Sequence, residues 1–370
     1  MVRRDLIFGA AAAVLAVLYT WGASVMQPIV GGPVQGSSPT PEPTRPPERT
    51  GAPRIPGAIA FAIRGDVYIL RDGRYAPLTS EGRNSQPALT ADGSTLYFVR
   101  RDEIDGRRGV EGVLVNARLQ YSSIVRKPAD GGPEELVLNG LRQRAANGLH
   151  AVSWYLGPAA SADGRRLAYA HDDGDGRADL EVLTFSAAPA TGSPAARATA
   201  TPRPTTTPRP VPVALSQGAD LADASWSADG RTIATTSYST EVPGILVWHV
   251  DRAGNAERLA VLPEGDAYRP AYSPDGKWIL YTLRRGAKND VHAYEIATKR
   301  SVALTDDGRS WSGVLSPDGT WLAFLRERGG TIDLYAMALA DALTGGKPKE
   351  AIRLTHGEGI DGASRPSWSR

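Results

Sequence analysis

The chain has 370 residues, with 42 Lys and Arg against 40 Asp and Glu, and no cysteine. That length admits one large domain or two ordinary ones, and a unit of ~300 residues can bury a substantial core. The charges are balanced and interspersed, without the basic stripe that a nucleic-acid partner needs, and the missing cysteines exclude disulfides, thiol nucleophiles, Cys-ligated zinc and a lipid-modified N-terminal Cys.

Arg3 and Arg4 precede an apolar run from Leu6 to Met26. A helix needs about 20 such residues to cross a bilayer, and the arginines orient the rest of the chain to the outer side. A cleaved signal peptide begins in the same way, but its apolar core is shorter and a small-x-small site follows. GASVMQP, around and after Gly22, is a poor site. Residues 1–29 are therefore read as a signal-anchor with a helix over about 6–26, which places the protein in the cytoplasmic membrane with its bulk on the periplasmic or extracellular face. Residues 30–56 are dense in Pro, Thr, Gly and Ser. Proline at that density blocks helix and sheet ladders and leaves a semi-rigid linker.

From residue 57 one motif recurs: Ser or Thr, any residue, Asp, Gly, then an apolar strand. It begins at Thr90, Ser161, Ser227, Ser273 and Ser316. The later copies are spaced like the blades of a propeller, whose period is roughly 40–45 residues. Ser-Pro-Asp-Gly reads as a type I turn, with Pro presetting φ and Gly where φ must be positive. In KWILYTL (Lys277–Leu283) both alternating sets of side chains are apolar or aromatic. A strand of that kind is buried on both faces, inside stacked sheets. Each motif is followed by a strand such as Asp66–Leu70, Asp290–Ile296 or Ile332–Met337, and then by a strand ending in Leu-Thr (78–79, 304–305, 354–355).

The first repeat carries extra residues between its second and third strands, Asp102 to Arg118. The second carries a Pro/Thr/Ala insert, 187–210, read as a disordered loop. Residues 57–79 hold three strands without a first. Ser364–Arg370 holds a first strand without the rest. Pairing the two ends closes a sixth blade and removes exposed sheet edges. The fold class predicted is all-β, a six-bladed β-propeller over 57–370 closed by its N- and C-terminal strands.

With the S/T-x-D-G, D-x-Y and Leu-Thr signatures in this order, and Ala129-Asp130-Gly131-Gly132 among them, the chain resembles the TolB-like, WD-like Asp-Gly propeller family over about residues 57–370. The resemblance implies the fold and little about function. An anchor and linker stand where TolB carries a mixed α/β domain.

No nucleophile elbow, zincin motif or phosphate loop is present, and the five histidines form no metal-spaced pair. Asp173, Asp175 and Asp179, in a Gly-containing loop, are the candidate calcium ligands. A solvated hairpin turn would favour the same residues. Propellers bind ligands at the mouth of the central channel. Alignment of the repeats places Gln86, Gly157, Asp223, Arg269, Ser312 and Arg365 there, flanked by Tyr155, Tyr268 and Trp311. Arginine among aromatics suits an acidic or C-terminal peptide, though the same side chains could instead plug the channel. The expectation is a non-catalytic, monomeric, membrane-tethered propeller that binds an envelope protein, peptide or glycan. The alternative is an envelope polysaccharide hydrolase or lyase acting at the channel mouth.

Overall fold

The computed structural model describes residues 55–110, 112–174, 176–185, 210–212, 220–251, 256–262, 266–339, 342–344 and 350–370. The chain divides into two units, Met1–Arg45 and Pro46–Arg370. The expected membrane segment 6–26, the linker up to residue 54 and the insert 187–209 lie outside the described residues. Among the described residues no helix is long and apolar enough to cross a membrane.

Among its described residues the second unit contains six four-stranded antiparallel sheets and one two-stranded sheet. From the innermost strand outward, blade 1 is Ser367–Ser369, Ala58–Ile63, Asp66–Arg71 and Arg74–Pro77. Blade 2 is Asn84–Leu89, Thr95–Val110, Val113–Pro128 and Glu135–Leu138; blade 3 is Trp154–Ala160, Arg166–Asp172, Asp179–Thr184 and Pro210–Pro212. Blade 4 is Leu221–Trp226, Thr232–Ser237, Gly244–Val250 and Ala256–Val261; blade 5 is Ala267–Tyr272, Trp278–Arg285, Lys288–Glu295 and Arg300–Ala303. Blade 6 is Ser310–Leu315, Trp321–Arg328, Thr331–Ala338 and Ile352–Arg353. Each innermost strand packs against the next, and Ser310–Leu315 meets Ser367–Ser369 to complete the circle. The closure expected from the chain ends is present: Ile59 stands opposite Trp368 and Ala58 opposite Ser369.

The second strands are buried because both of their faces meet a neighbouring blade. Phe98, Tyr169, Tyr281 and Phe324, at equivalent places after the turn, are fully buried in four blades. Blade 4 has Thr235 there instead, and the Trp248 indole donates to its hydroxyl at 2.9 Å.

The five Asp-Gly turns share one set of bonds. The Ser or Thr hydroxyl donates to the Asp carboxylate (2.7 Å for Ser273 to Asp275), and the amide two residues past the Asp donates to the same oxygen (3.1 Å from Lys277). The hydroxyl also accepts the amide that opens the second strand (2.9 Å from Trp278). The Gly closes each turn at positive φ, as Gly276 does at 72°. Partial burial alone would raise the carboxyls of Asp92, Asp163, Asp275 and Asp318, but the hydroxyl and amide donors outweigh it. At Asp229 the Ser227 hydroxyl is the largest influence, and all five carboxyls end below the usual carboxylate range. A carboxyl depressed in the fold stabilises it above its unfolded value, about 3.9, and that stability is lost as pH falls through the folded value. The melting midpoint is therefore expected to drop progressively below about pH 4. Each turn contributes modestly because its carboxylate is exposed. A midpoint that rises from pH 4 to pH 3 would contradict this account.

A second lock explains the Leu-Thr signature. Thr79, Thr305 and Thr355 each accept the amide of the residue after an Asp, at 2.9 Å from Val67, Val291 and Leu334. Each Thr hydroxyl donates to that Asp, and a glycine amide (Gly82, Gly308, Gly357) donates to the same carboxylate. The outer strands end one residue before Leu-Thr, because Thr turns away to make this lock.

The residues from Asp102 to Arg118 are not a separate insertion. They lengthen both middle strands of blade 2 to 16 residues each, paired without a break from Thr95↔Pro128 to Val110↔Val113. The resulting arm rises at the end of the channel where the innermost strands begin, with Asp102 at its base ion-paired to Arg83. A small sheet, Leu141–Gln143 with Ala151–Val152, lies beside it.

Candidate functional site

Five innermost strands are interrupted at the same place. Register breaks fall between Ser85 and Ala88, Leu156 and Ala159, Ala222 and Ser225, Tyr268 and Ala271, and Trp311 and Val314. At each break two residues oppose one, which is a β-bulge. The first bulged residue has left-handed φ: Gln86 51°, Gly157 56°, Asp223 55°, Arg269 54° and Ser312 57°. A non-Gly residue there costs about 1–2 kcal/mol, so four blades hold a strained residue where one uses glycine. A bulge re-aims a side chain, and here the Gln86 and Arg269 side chains reach across to the neighbouring blades. The bulged residues are five of the six positions that the repeat alignment matched; Arg365, the sixth, is not at a bulge.

The bulges also join the blades. The Arg269 amide donates to the Thr236 hydroxyl of blade 4 at 2.8 Å, and the Ser312 amide to the Thr282 hydroxyl of blade 5 at 3.0 Å. The Gly157 amide donates to the Gln86 side-chain carbonyl at 2.6 Å, and the Gln86 amide to the Ser364 hydroxyl at 2.7 Å. Thr236, Thr282 and Ser364 were not among the expected site residues. The signal for Thr236 and Thr282 was a hydroxyl residue at the same place in the second strands of blades 4 and 5.

Two guanidinium groups dominate the mouth. Arg269 donates to the Ser312 hydroxyl at 2.7 Å and to the carbonyls of Gly362 and Ala363 at 2.8 and 2.9 Å. Arg365, leading into blade 1, donates to the Pro270 carbonyl of blade 5 and to the Ala224 carbonyl of blade 4. Blade 4 stands opposite blade 1, so the Arg365 side chain bars the channel. Burial lowers the Arg365 guanidinium below its ordinary value, the Asp223 carboxylate opposes that shift, and Arg269 adds to it. It remains a cation at neutral pH. The Asp223 carboxylate accepts the hydroxyls of Thr236 (3.2 Å) and Tyr238 (3.4 Å).

The flanking aromatics divide. The Trp311 indole donates to the Gly362 carbonyl at 2.9 Å, beside Arg269. The Tyr268 hydroxyl donates to Asn289 at 3.0 Å, and the guanidinium groups of Arg269 and Arg284 lie against its ring. Tyr155 is not brought to the mouth. It is 4% exposed and stacks on His171 between blades 2 and 3, because the bulge of its strand begins only after Leu156.

In the loop after Asp172, Asp175 lies outside the described residues, while Asp173 and Asp179 are exposed. The Asp172 carboxylate closes this turn by accepting the amides of Gly174 and Gly176 at 2.7 and 3.2 Å. Among the described residues no three acidic or histidine side chains converge on one point.

The six closed blades define a six-bladed β-propeller, and solved TolB structures share that fold. The chain superposes on TolB from Acinetobacter baumannii with a TM-score of 0.59 at 18% identity, covering 85% of this chain and 66% of that one. It superposes on a candidate TolB from Agrobacterium tumefaciens with a TM-score of 0.53 at 17% identity, covering 84% and 92%. A structure of a nidogen/laminin complex gives a TM-score of 0.55 at 13% identity, covering 84% and 97%. No family model matches the chain, and no curated protein matches it in sequence. At these identities the likeness is one of fold.

Proposed function

We propose that this chain is a non-catalytic binding scaffold, tethered to the cytoplasmic membrane through Leu6–Met26 and displayed on its outer face, whose channel mouth takes the carboxylate of an acidic or C-terminal segment of an envelope protein. One observation carries the reading. Arg269 of blade 5 and Arg365, which leads into blade 1, are both held by neutral acceptors, and among the described residues neither is held by an ion pair. A guanidinium fixed by carbonyls is positioned but not neutralised, and it keeps donors free in the fork geometry that suits a carboxylate. Asp223 offsets one of the two charges, so the mouth favours a single anionic group over a polyanion. Tyr268 and Trp311 supply the aromatic surface common at binding hot spots. A protein partner also accords with the structure of a nidogen/laminin complex, one chain of which shares this fold.

The test is a titration of labelled acidic peptides with free and with amidated C-termini against the full chain and its Arg269→Glu/Arg365→Glu variant. Charge-assisted hydrogen bonds contribute about 1.5–3 kcal/mol each, so the variant should bind at least about tenfold more weakly. The interaction should also weaken with added salt. Equal binding by parent and variant would remove the mouth from consideration. Proteolysis of intact cells, with the propeller cleaved from outside, would support the proposed side of the membrane.

A further inference from the structure

The arm of blade 2 outruns its sheet. The innermost strand reaches only to Arg100, and the outer strand pairs only from Ile124 onward. Beyond these points the ribbon continues alone from Arg101↔Ser122 to Val110↔Val113. A two-stranded ribbon is marginal in water unless it gains a third strand or a packing partner. The inner edge has some cover, since the Arg107 amide donates to the Gly148 carbonyl at 2.7 Å and the His150 ring lies 3.2 Å from the Asp105 carbonyl.

The outer edge differs. At its base the Ser122 amide points out of the ribbon, to the Ser153 carbonyl at 3.2 Å. By alternation Gln120, Arg118, Asn116 and Leu114 present their backbone groups in the same direction. Among the described residues none of these four has a backbone partner outside the ribbon. Val113, Val115, Ala117 and Leu119 share one face, and Val113 is 63% exposed at the tip. An open edge with apolar side chains beside it is a template for another strand.

We propose that this edge pairs with the same edge of a second copy of the chain, antiparallel, about a two-fold axis through Ala117. The outward-facing residues must meet one another, so only a few registers are allowed. Centring on Arg118 sets two like charges directly opposite, and centring on Asn116 sets Leu114 against Arg118. Centring on Ala117 sets Asn116 against Arg118 and Val115 against Leu119, with two Ala117 methyl groups meeting at the axis. No like charges then face each other, and the two ribbons merge into a four-stranded sheet whose two central strands carry Val113, Val115, Ala117 and Leu119 on one face, beside Arg108 of the outer strand. The contact is isologous and therefore closed. It is small by the standard of stable interfaces, so the dimer is weak and appears at high protein concentration.

Sedimentation of the full chain in detergent, across a concentration series, is the test. The parent should pass from monomer to dimer. Ala117→Lys, which places two ammonium groups at the axis, should remain monomeric with an unchanged thermal melt, which separates this contact from association through Leu6–Met26. Asn116→Glu, facing Arg118, should lower the midpoint concentration about fivefold. The chain has no native cysteine. Ala117→Cys should therefore oxidise cleanly to a covalent dimer, because facing residues of this pair type lie about 4.5 Å apart, within disulfide reach. Leu114→Cys, whose two copies would sit at opposite ends of the paired segment, should not. A parent that stays monomeric throughout, an Ala117→Lys variant that dimerises like the parent, or cross-linking as ready at 114 as at 117 overturns the proposal.

Discussion

Removal of residues 364–370 is expected to abolish the cooperative thermal transition. The deleted segment supplies the innermost strand of blade 1 through Ala58↔Ser369, Ile59↔Trp368 and Ala60↔Ser367. It also supplies the Ser364 and Ser367 hydroxyls that accept the Gln86 and Leu89 amides, the Trp368 indole that donates to the Pro56 carbonyl at 2.7 Å, and the Arg365 bar across the channel. These bonds are worth roughly 0.5–1.5 kcal/mol each, and more where a buried donor is left without a partner. Their sum, with the newly open edge of Ala58–Ile63, approaches the ~5–15 kcal/mol by which a whole domain is stable. An open ring also leaves an apolar edge that seeds aggregation. Circular dichroism and limited proteolysis would read the result. A truncated protein melting within a few degrees of the parent would mean that closure is dispensable.

Asp333→Ala is expected to be the most damaging single substitution at the Asp-Thr-Gly locks. Asp333 is fully buried. Its carboxylate accepts the Thr355 hydroxyl at 2.9 Å, the Gly357 amide at 2.7 Å, the Thr331 hydroxyl at 3.1 Å and the Arg353 guanidinium. Burial alone would raise this carboxyl, but the Gly357 amide, Arg353 and the Thr355 hydroxyl together hold it below the usual range. Its removal leaves an amide unpaired and strips Arg353 of its counter-charge. The expected loss is about 3 kcal/mol, somewhat under that of a fully buried ion pair because Arg353 keeps access to water. That corresponds to a midpoint lower by roughly 6–12 °C. Asp290→Ala and Asp66→Ala remove the same bonds from half-buried carboxylates without a paired arginine, and should cost less. Equal losses at the three positions would show that burial and Arg353 add nothing.

The repeats were legible because turn chemistry is local. Ser-x-Asp-Gly states its own hydrogen bonds, and the double-faced apolar strand after it states its burial on both sides. Closure was legible because three strands at one end and one at the other complement each other by count. The locks were visible only as signatures: Asp66 and Thr79 lie 13 residues apart, and nothing short of the folded blade shows that they meet. Asp102–Arg118 reads in the sequence as extra residues between two strands because its polar face hides the strand period, while cross-strand pairing continues both strands to 16 residues.

Alignment by itself determined that Gln86, Gly157, Asp223, Arg269 and Ser312 are equivalent, and that Arg365 belongs with them. Tertiary structure alone decided what the equivalence means. Left-handed backbone at a bulge depends on bonds to the preceding blade, as from the Arg269 amide to Thr236, and non-Gly residues do not announce that conformation. The same bulges decided that Tyr155 stays in the core, since a shift of one residue along a strand exchanges the inter-blade layer for the channel. Whether Arg365 lines the channel or crosses it depended on the carbonyls of Ala224 and Pro270, more than 90 residues away in the chain. Contacts of that range exist only after the ring has closed.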